Sequence, residues 1–197
     1  MISTESQLYR ILVWSAVGIG IFIVASMVYE YMGVADEPGV LHYRRGNLRL
    51  EDGKFSEALV EFNGFLEIHQ DESIGYLGRA LALMGMGDNK QALDAFNTAI
   101  GLDDKMGAAF ANRGILHDRM GRHKEAMEDY RKALQLDVEL SEGPGWFTRF
   151  FRSQWEKPPT IADRLAFLEK EMAKPPQERV LQVPEVDSKQ RSYKLEK

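Results

Sequence analysis

Cysteine is absent from this 197-residue chain. That excludes disulfides, thiolate metal sites and cysteine nucleophiles, and fits a periplasmic or a cytoplasmic address equally. A basic excess is also missing. The formal net charge is −5, so no cationic face is expected to neutralise phosphates, and no nucleic-acid partner follows. Motifs for chemistry are missing too. The four histidines, His42, His69, His117 and His123, show no H-x-x-x-H or H-E-x-x-H spacing, and no carboxylate stands suitably beside a pair. Gly18-x-Gly20 and Gly85-x-Gly87 do not sit between a strand and a phosphate-binding helix, and no G-x-S-x-G occurs. No catalytic residue, cofactor or metal is expected, and the chain does not read as an enzyme.

Charge of either sign is missing from residues 11–29, ILVWSAVGIGIFIVASMVY. At 1.5 Å per residue, 19 such residues nearly span a hydrocarbon core, so residues 11–32 read as a transmembrane helix after a short tail, 1–10. Tyr9 and Trp14 at one end, and Tyr29 and Tyr31 at the other, suit the interfacial aromatic belt. A cleaved signal peptide fits less well: the basic region holds only Arg10, and no A-x-A site follows. Ala16 and Gly20 form a small-xxx-small pair that lets another helix approach closely in lipid. Arg10 on the short side favours a cytoplasmic amino terminus, while Arg44 and Arg45 pull the other way. The expected topology leaves the remainder of the chain outside the cytoplasm.

What is present is a period. Ala58, Ala92 and Ala126 lie 34 residues apart. Each follows a glycine by five (Gly53, Gly87, Gly121) and precedes an aromatic by four (Phe62, Phe96, Tyr130). A fixed period of this size marks stacked supersecondary units. In the second unit, Ala92, Phe96 and Ala99 recur at helical spacing, which predicts a helix over about 89–102 after one over about 74–86. Gly87-Asp88 breaks the two.

This pattern resembles the tetratricopeptide repeat (TPR) family. Gly46, Ala80 and Gly114 stand at its small position, the three glycines at its turn, and Ala99 and Ala133 at its second small position. The first unit departs there with Phe65. The closing proline is missing from all three units, which carry Gln70, Asp104 and Val138. The repeats are placed at 39–72, 73–106 and 107–140, after a linker at 33–38. The resemblance implies an all-α, right-handed superhelix whose concave face binds protein segments. On that face it places Tyr43, Asn47 and Leu50, then Leu77, Leu81 and Met84, then Asn112, Ile115 and Arg119. Tyr43 and Leu77 stand where a carboxylate clamp for chaperone peptides would want polar or basic groups, so an apolar groove is expected instead.

Beyond the repeats, Trp146, Phe147, Phe150, Phe151 and Trp155 share one helical face, with Arg149 and Arg152 between them. Residues 141–156 read as a capping helix for the open end of the stack. Of these, Trp146, Phe150, Phe151 and Trp155, with Val183 and Val186, are candidate partner contacts. Pro158-Pro159 and Pro175-Pro176 bound a helix at 157–176, and Thr160 with Asp163 announces its start. Residues 177–197 lack apolar content to fold alone and read as an extended tail that lies on a partner or in this chain's own apolar groove, with the partner favoured.

The expectation is a single-pass protein of the bacterial inner membrane with a periplasmic TPR solenoid. It would be a non-catalytic accessory or assembly subunit, scaffolding other subunits of a membrane complex, with the lipid bilayer met through residues 11–32. The competing expectation is a membrane-anchored receptor or chaperone-like adaptor that holds protein segments transiently.

Overall fold

Three glycines in the left-handed region set the rhythm of the fold. Gly53, Gly87 and Gly121 have φ of 71°, 82° and 74°, a conformation that costs a Cβ-bearing residue and costs glycine nothing. Each closes a helix with the same pair of bonds. Asp88 N–H reaches the Leu83 carbonyl at 3.0 Å and Gly87 N–H the Met84 carbonyl at 3.2 Å. Lys54 and Gly53 repeat this on Arg49 and Leu50, and Arg122 and Gly121 on His117 and Asp118. These are Schellman caps, spaced by the sequence period.

The computed structural model describes residues 4–35, 38–142 and 159–182. Among them the chain is all-helical. A long helix α1 (Thr4–Ala35) precedes three helical hairpins: α2 (Pro38–Glu51) with α3 (Phe55–Ile68), α4 (Ser73–Met86) with α5 (Asn89–Leu102), and α6 (Gly107–Arg119) with α7 (His123–Leu136). A 3-10 turn (Val138–Ser141) follows, then α8 (Ile161–Met172) and a second 3-10 turn (Pro176–Glu178). The cap expected at 141–156 falls almost wholly outside the described residues.

Each hairpin closes by setting a small residue against an aromatic ring. A Cβ on Gly46 would lie 2.8 Å from Phe62, and one on Gly114 2.8 Å from Tyr130. Ala58, Ala92 and Ala126 are fully buried beside these rings. Phe62, Phe96 and Tyr130 are likewise out of water, so each unit gains about 1.5–3 kcal/mol from one aromatic side chain.

The hairpins stack through a second set of small residues that the 34-residue pattern did not announce. Gly75, Gly78 and Gly85 turn one face of α4 onto α3. Cβ atoms there would overlap Phe65 and Leu66, Phe62, and Phe55 respectively. Ala82 on the same face shares a buried cluster with Ala58 and Phe62. Between the second and third units Ala108, Ala109 and Leu116 of α6 join the buried cluster of α4 and α5, and a polar link is added. Arg113 donates to Asn97 Oδ1 of the preceding hairpin at 2.7 Å and, through Nε and Nη2, to both oxygens of Asp129 at 2.9 and 2.6 Å.

The C-terminal helix α8 packs on the third unit. Ile161, Leu165 and Leu168 are buried in one cluster with Ile115, Ala126 and Tyr130. Thr160 caps it with a reciprocal box: its hydroxyl accepts from Asp163 N–H at 3.2 Å, and Asp163 Oδ2 accepts from Thr160 N–H at 2.9 Å. That satisfies two orphan donors at the helix start.

Candidate protein-binding surface

The nine residues expected on a concave apolar groove do not form one open face. Leu77, Leu81 and Met84 are buried, in a cluster with Ala92, Ala95, Phe96, Ala108 and Ala109. With only 3% of Leu77 and 5% of Leu81 exposed, they are core. The earlier expectation placed them in solvent; a run of apolar side chains at helical spacing finds burial first. Ile115 is fully buried in the cluster that includes α8. Asn112 is buried as well, with its Nδ2 donating to the Ala108 carbonyl at 2.8 Å. It lies 34 residues after Gly78, on the stacking face rather than the concave one. Arg119 is exposed.

The first unit keeps its inner face partly open. Tyr43, Asn47 and Leu50 are half-buried. The Tyr43 ring packs edge-on to Phe62 at 6.1 Å between centroids and against Phe65 at 5.5 Å. That fixes its plane. Leu50 packs against both the first and the central clusters. This is a small amphipathic patch at one end of the stack, where a protein segment could set an apolar side chain beside Asn47.

At the other end the surface is closed by a buried ionic node. Arg164 of α8 donates from Nε to Asp118 Oδ2 at 2.6 Å and from Nη2 to Oδ1 at 3.0 Å. His123 Nδ1 lies 2.9 Å from Oδ1, and the Tyr130 hydroxyl donates to Oδ2 at 3.4 Å. Arg164 also reaches the Leu181 carbonyl at 2.8 Å. Val180 N–H donates to Glu171 Oε2 at 2.9 Å, and Arg179 Nε to the Lys174 carbonyl at 2.9 Å. The start of the tail, expected to lie on a partner, therefore folds back over α8 as far as 182. Hydrogen bonds from the Lys174 ammonium and from Val180 N–H hold the Glu171 carboxyl below its ordinary pKa. Nothing in the sequence pattern marked Asp118 or Arg164 as partners.

The expected partner contacts Trp146, Phe150, Phe151, Trp155, Val183 and Val186 lie outside the described residues. Ala16 and Gly20 sit on α1, exposed, and a Cβ on Gly20 would meet nothing within 4 Å. Burial pushes the His117 imidazole below its ordinary pKa, against the raising effect of Asp129, whose Oδ2 stands 3.8 Å from Nε2. Among the described residues, no group of three or more His, Asp and Glu side chains is placed to hold a metal ion.

Residues 75–106 and 107–139 each match a family description that reads "Tetratricopeptide repeat". No curated protein sequence matches the chain. Among solved structures, the first TPR of Spaghetti (RPAP3), bound to an HSP90 peptide, is 18% identical with a TM-score of 0.54, covering 69% of this chain and 94% of that one. MamA is 19% identical with a TM-score of 0.50, covering 80% of this chain and 94% of that one. The TPR2B domain of yeast Sti1, in complex with an Hsp70 peptide, is 18% identical with a TM-score of 0.50, covering 60% and 93%. At these identities the likenesses show the fold. The repeat caps, the small-against-aromatic closure and the two matched segments together place this chain in the tetratricopeptide-repeat family.

Proposed function

We propose that the chain is a membrane-tethered, non-catalytic scaffold that holds partner proteins beside a bilayer. The observation that carries this reading is the joint between α1 and the repeats. Every side chain of the apolar window Leu12–Tyr29 is exposed, whereas a soluble protein's core helix would bury such a window. The hydroxyl of Ser15 donates to the Leu12 carbonyl at 2.9 Å, so that hydroxyl is satisfied within the helix and can enter lipid. Two residues then separate α1 from the first repeat helix. The repeats are thus fastened close to whatever α1 crosses. We assign the bacterial inner membrane, with the amino terminus inside and the repeats periplasmic. Ala16 and Gly20 are offered as the contact for another membrane helix.

The partner site is assigned to the open inner face of the first unit, at Tyr43, Asn47 and Leu50. Two of the similar structures hold a peptide, which supports a protein segment as ligand here. The aromatic and apolar residues beyond the described part, Trp146 to Trp155 with Val183 and Val186, remain candidates for a second contact. Affinity purification of the full chain from detergent extract, with quantitative mass spectrometry, tests the reading. A scaffold subunit brings fixed partners in stoichiometric amounts. A spread of substoichiometric clients would replace it with the receptor reading, and recovery of the chain alone would defeat both. A phosphatase fused at Lys197 tests the side: activity outside the cytoplasm is expected.

A further inference from the structure

The units stack through equivalent positions, and the first unit has no predecessor. In α4, Gly75, Gly78 and Ala82 meet α3. In α6 the same positions are Ala109, Asn112 and Leu116, all buried. In α2 they are Leu41, Arg44 and Leu48. Arg44 is exposed and Leu48 is 60% exposed. One position further on, Arg113 bridges to the preceding hairpin, while its counterpart Arg45 stands exposed. No ion pair holds Arg44 or Arg45 among the described residues. Arg49, by contrast, is 3.0 Å from Glu57.

We propose that this N-terminal stacking face of α2, formed by Leu41, Arg44, Arg45 and Leu48, rests on the anionic headgroups of the bilayer that α1 crosses. The proposal rests on the membrane reading of α1. Three observations select lipid over a second copy or a further helical unit. First, the stacked units carry a buried glycine or asparagine, Gly78 or Asn112, at the position of Arg44; a longer, charged guanidinium there opposes the same close approach of another helix. Second, two leucines flanking two arginines have the chemistry of an interfacial surface, with apolar stems at the acyl boundary and cations among phosphates. Third, the chain is short enough. The apolar window ends at Tyr29 and α1 ends at Ala35, a further six residues or about 9 Å of helix. The headgroup layer itself is about 5–8 Å deep on each side. Arg44 and Arg45 lie within two turns of the start of α2, so the face is delivered to the phosphates when α2 turns along the surface. Each arginine near an anionic leaflet biases the docked state about five-fold, and Glu51 on the same face stands at the far end of α2.

The absence of cysteine makes the test direct. Full-length chain carrying Leu48→Cys with a fluorophore is reconstituted into nanodiscs of phosphatidylcholine, with or without phosphatidylglycerol, doped with a headgroup nitroxide lipid. A second chain is labelled through Lys132→Cys on α7. We expect strong quenching at position 48 and little at 132. Quenching at 48 should fall at least two-fold in phosphatidylcholine alone, and again in Arg44→Glu/Arg45→Glu, whose circular dichroism should match the parent. An unquenched label at 48 in discs that carry the chain overturns the proposal alone. Quenching unchanged by the double substitution does the same, as does self-quenching that scales with copies per disc. A chain that fails to co-fractionate with discs overturns the membrane reading, and this proposal with it.

Discussion

Arg164 and Asp118, 46 residues apart in sequence, form a two-pronged ion pair in which 5% and 3% of the side-chain surfaces remain exposed. The pair welds α8 to the third repeat. Desolvating both charges consumes most of their attraction, so the pair adds little over an apolar contact, but an orphaned member is costly. Asp118→Leu or Arg164→Met alone should each lower stability by about 3–5 kcal/mol, and the double substitution should recover most of it. Thermal unfolding followed by circular dichroism of all four chains checks this; additive losses would show that the two charges do not depend on each other.

Leu77 decides whether the second unit presents a groove or a core. Leu77→Glu buries an unpaired carboxylate at a site 3% exposed, and should cost about 3 kcal/mol or more. The matched change Leu50→Glu, at a half-buried site, should be milder. Equal and small losses in chemical denaturation would return Leu77 to an open surface.

Gly87 holds its left-handed turn without strain. Gly87→Ala should destabilise by about 1–2 kcal/mol, although a Cβ there would meet nothing within 4 Å. Gly101, inside α5 with similar free space, makes the control: Gly101→Ala should stabilise by about 0.5–1 kcal/mol. Opposite signs in urea midpoints are the expected outcome.

His117 makes stability depend on mild acid. Its folded pKa is lowered from 6.5 by burial, so the unfolded chain binds the proton more readily. The stability linked to this group is complete above pH 6.5 and is lost as pH falls through the lower folded value. Tm should therefore drop on acidification below pH 6.5, and less so in His117→Leu, which copies Leu83 of the second unit. Parallel pH profiles for the two chains would remove His117 as the source.

Truncation after Pro176 removes Leu181, whose carbonyl accepts from Arg164, and Val180, whose N–H donates to Glu171. With the Arg179 bond to the Lys174 carbonyl, three part-buried polar contacts and an apolar side chain are lost together, so about 1–3 kcal/mol should go. A chain ending at Gln182 should keep it. If both truncations melt with the parent, the strap contributes nothing and the tail's role lies wholly with partners.

The sequence carried some of this plainly and hid the rest for physical reasons. The hairpins were legible because each needs a left-handed glycine, a small residue and an aromatic at fixed offsets, and Gly87, Ala92 and Phe96 advertise them. The start of α8 was legible from Thr160 and Asp163, which bond only three residues apart. The fate of the inner face was not. Periodicity says that Leu77 and Leu81 share a helical face; it does not say what covers that face. The resemblance placed Asn112 on the concave side, yet its distance of one repeat from Gly78 assigns it to the stacking side, and the repeat register is the stronger guide. The Arg164–Asp118 pair joins elements with no local signal between them.

With α8 seated over Ile115 and Tyr130, the third hairpin is already covered, among the described residues, where a fourth would follow. End-to-end polymerisation requires a head that fits a tail, and this chain has covered its tail and placed guanidinium groups on its head. Continuing the superhelix from copy to copy would have to displace the one and desolvate the other. An assembly built on the remaining described faces would grow sideways, in the plane of the layer rather than as a column rising from it.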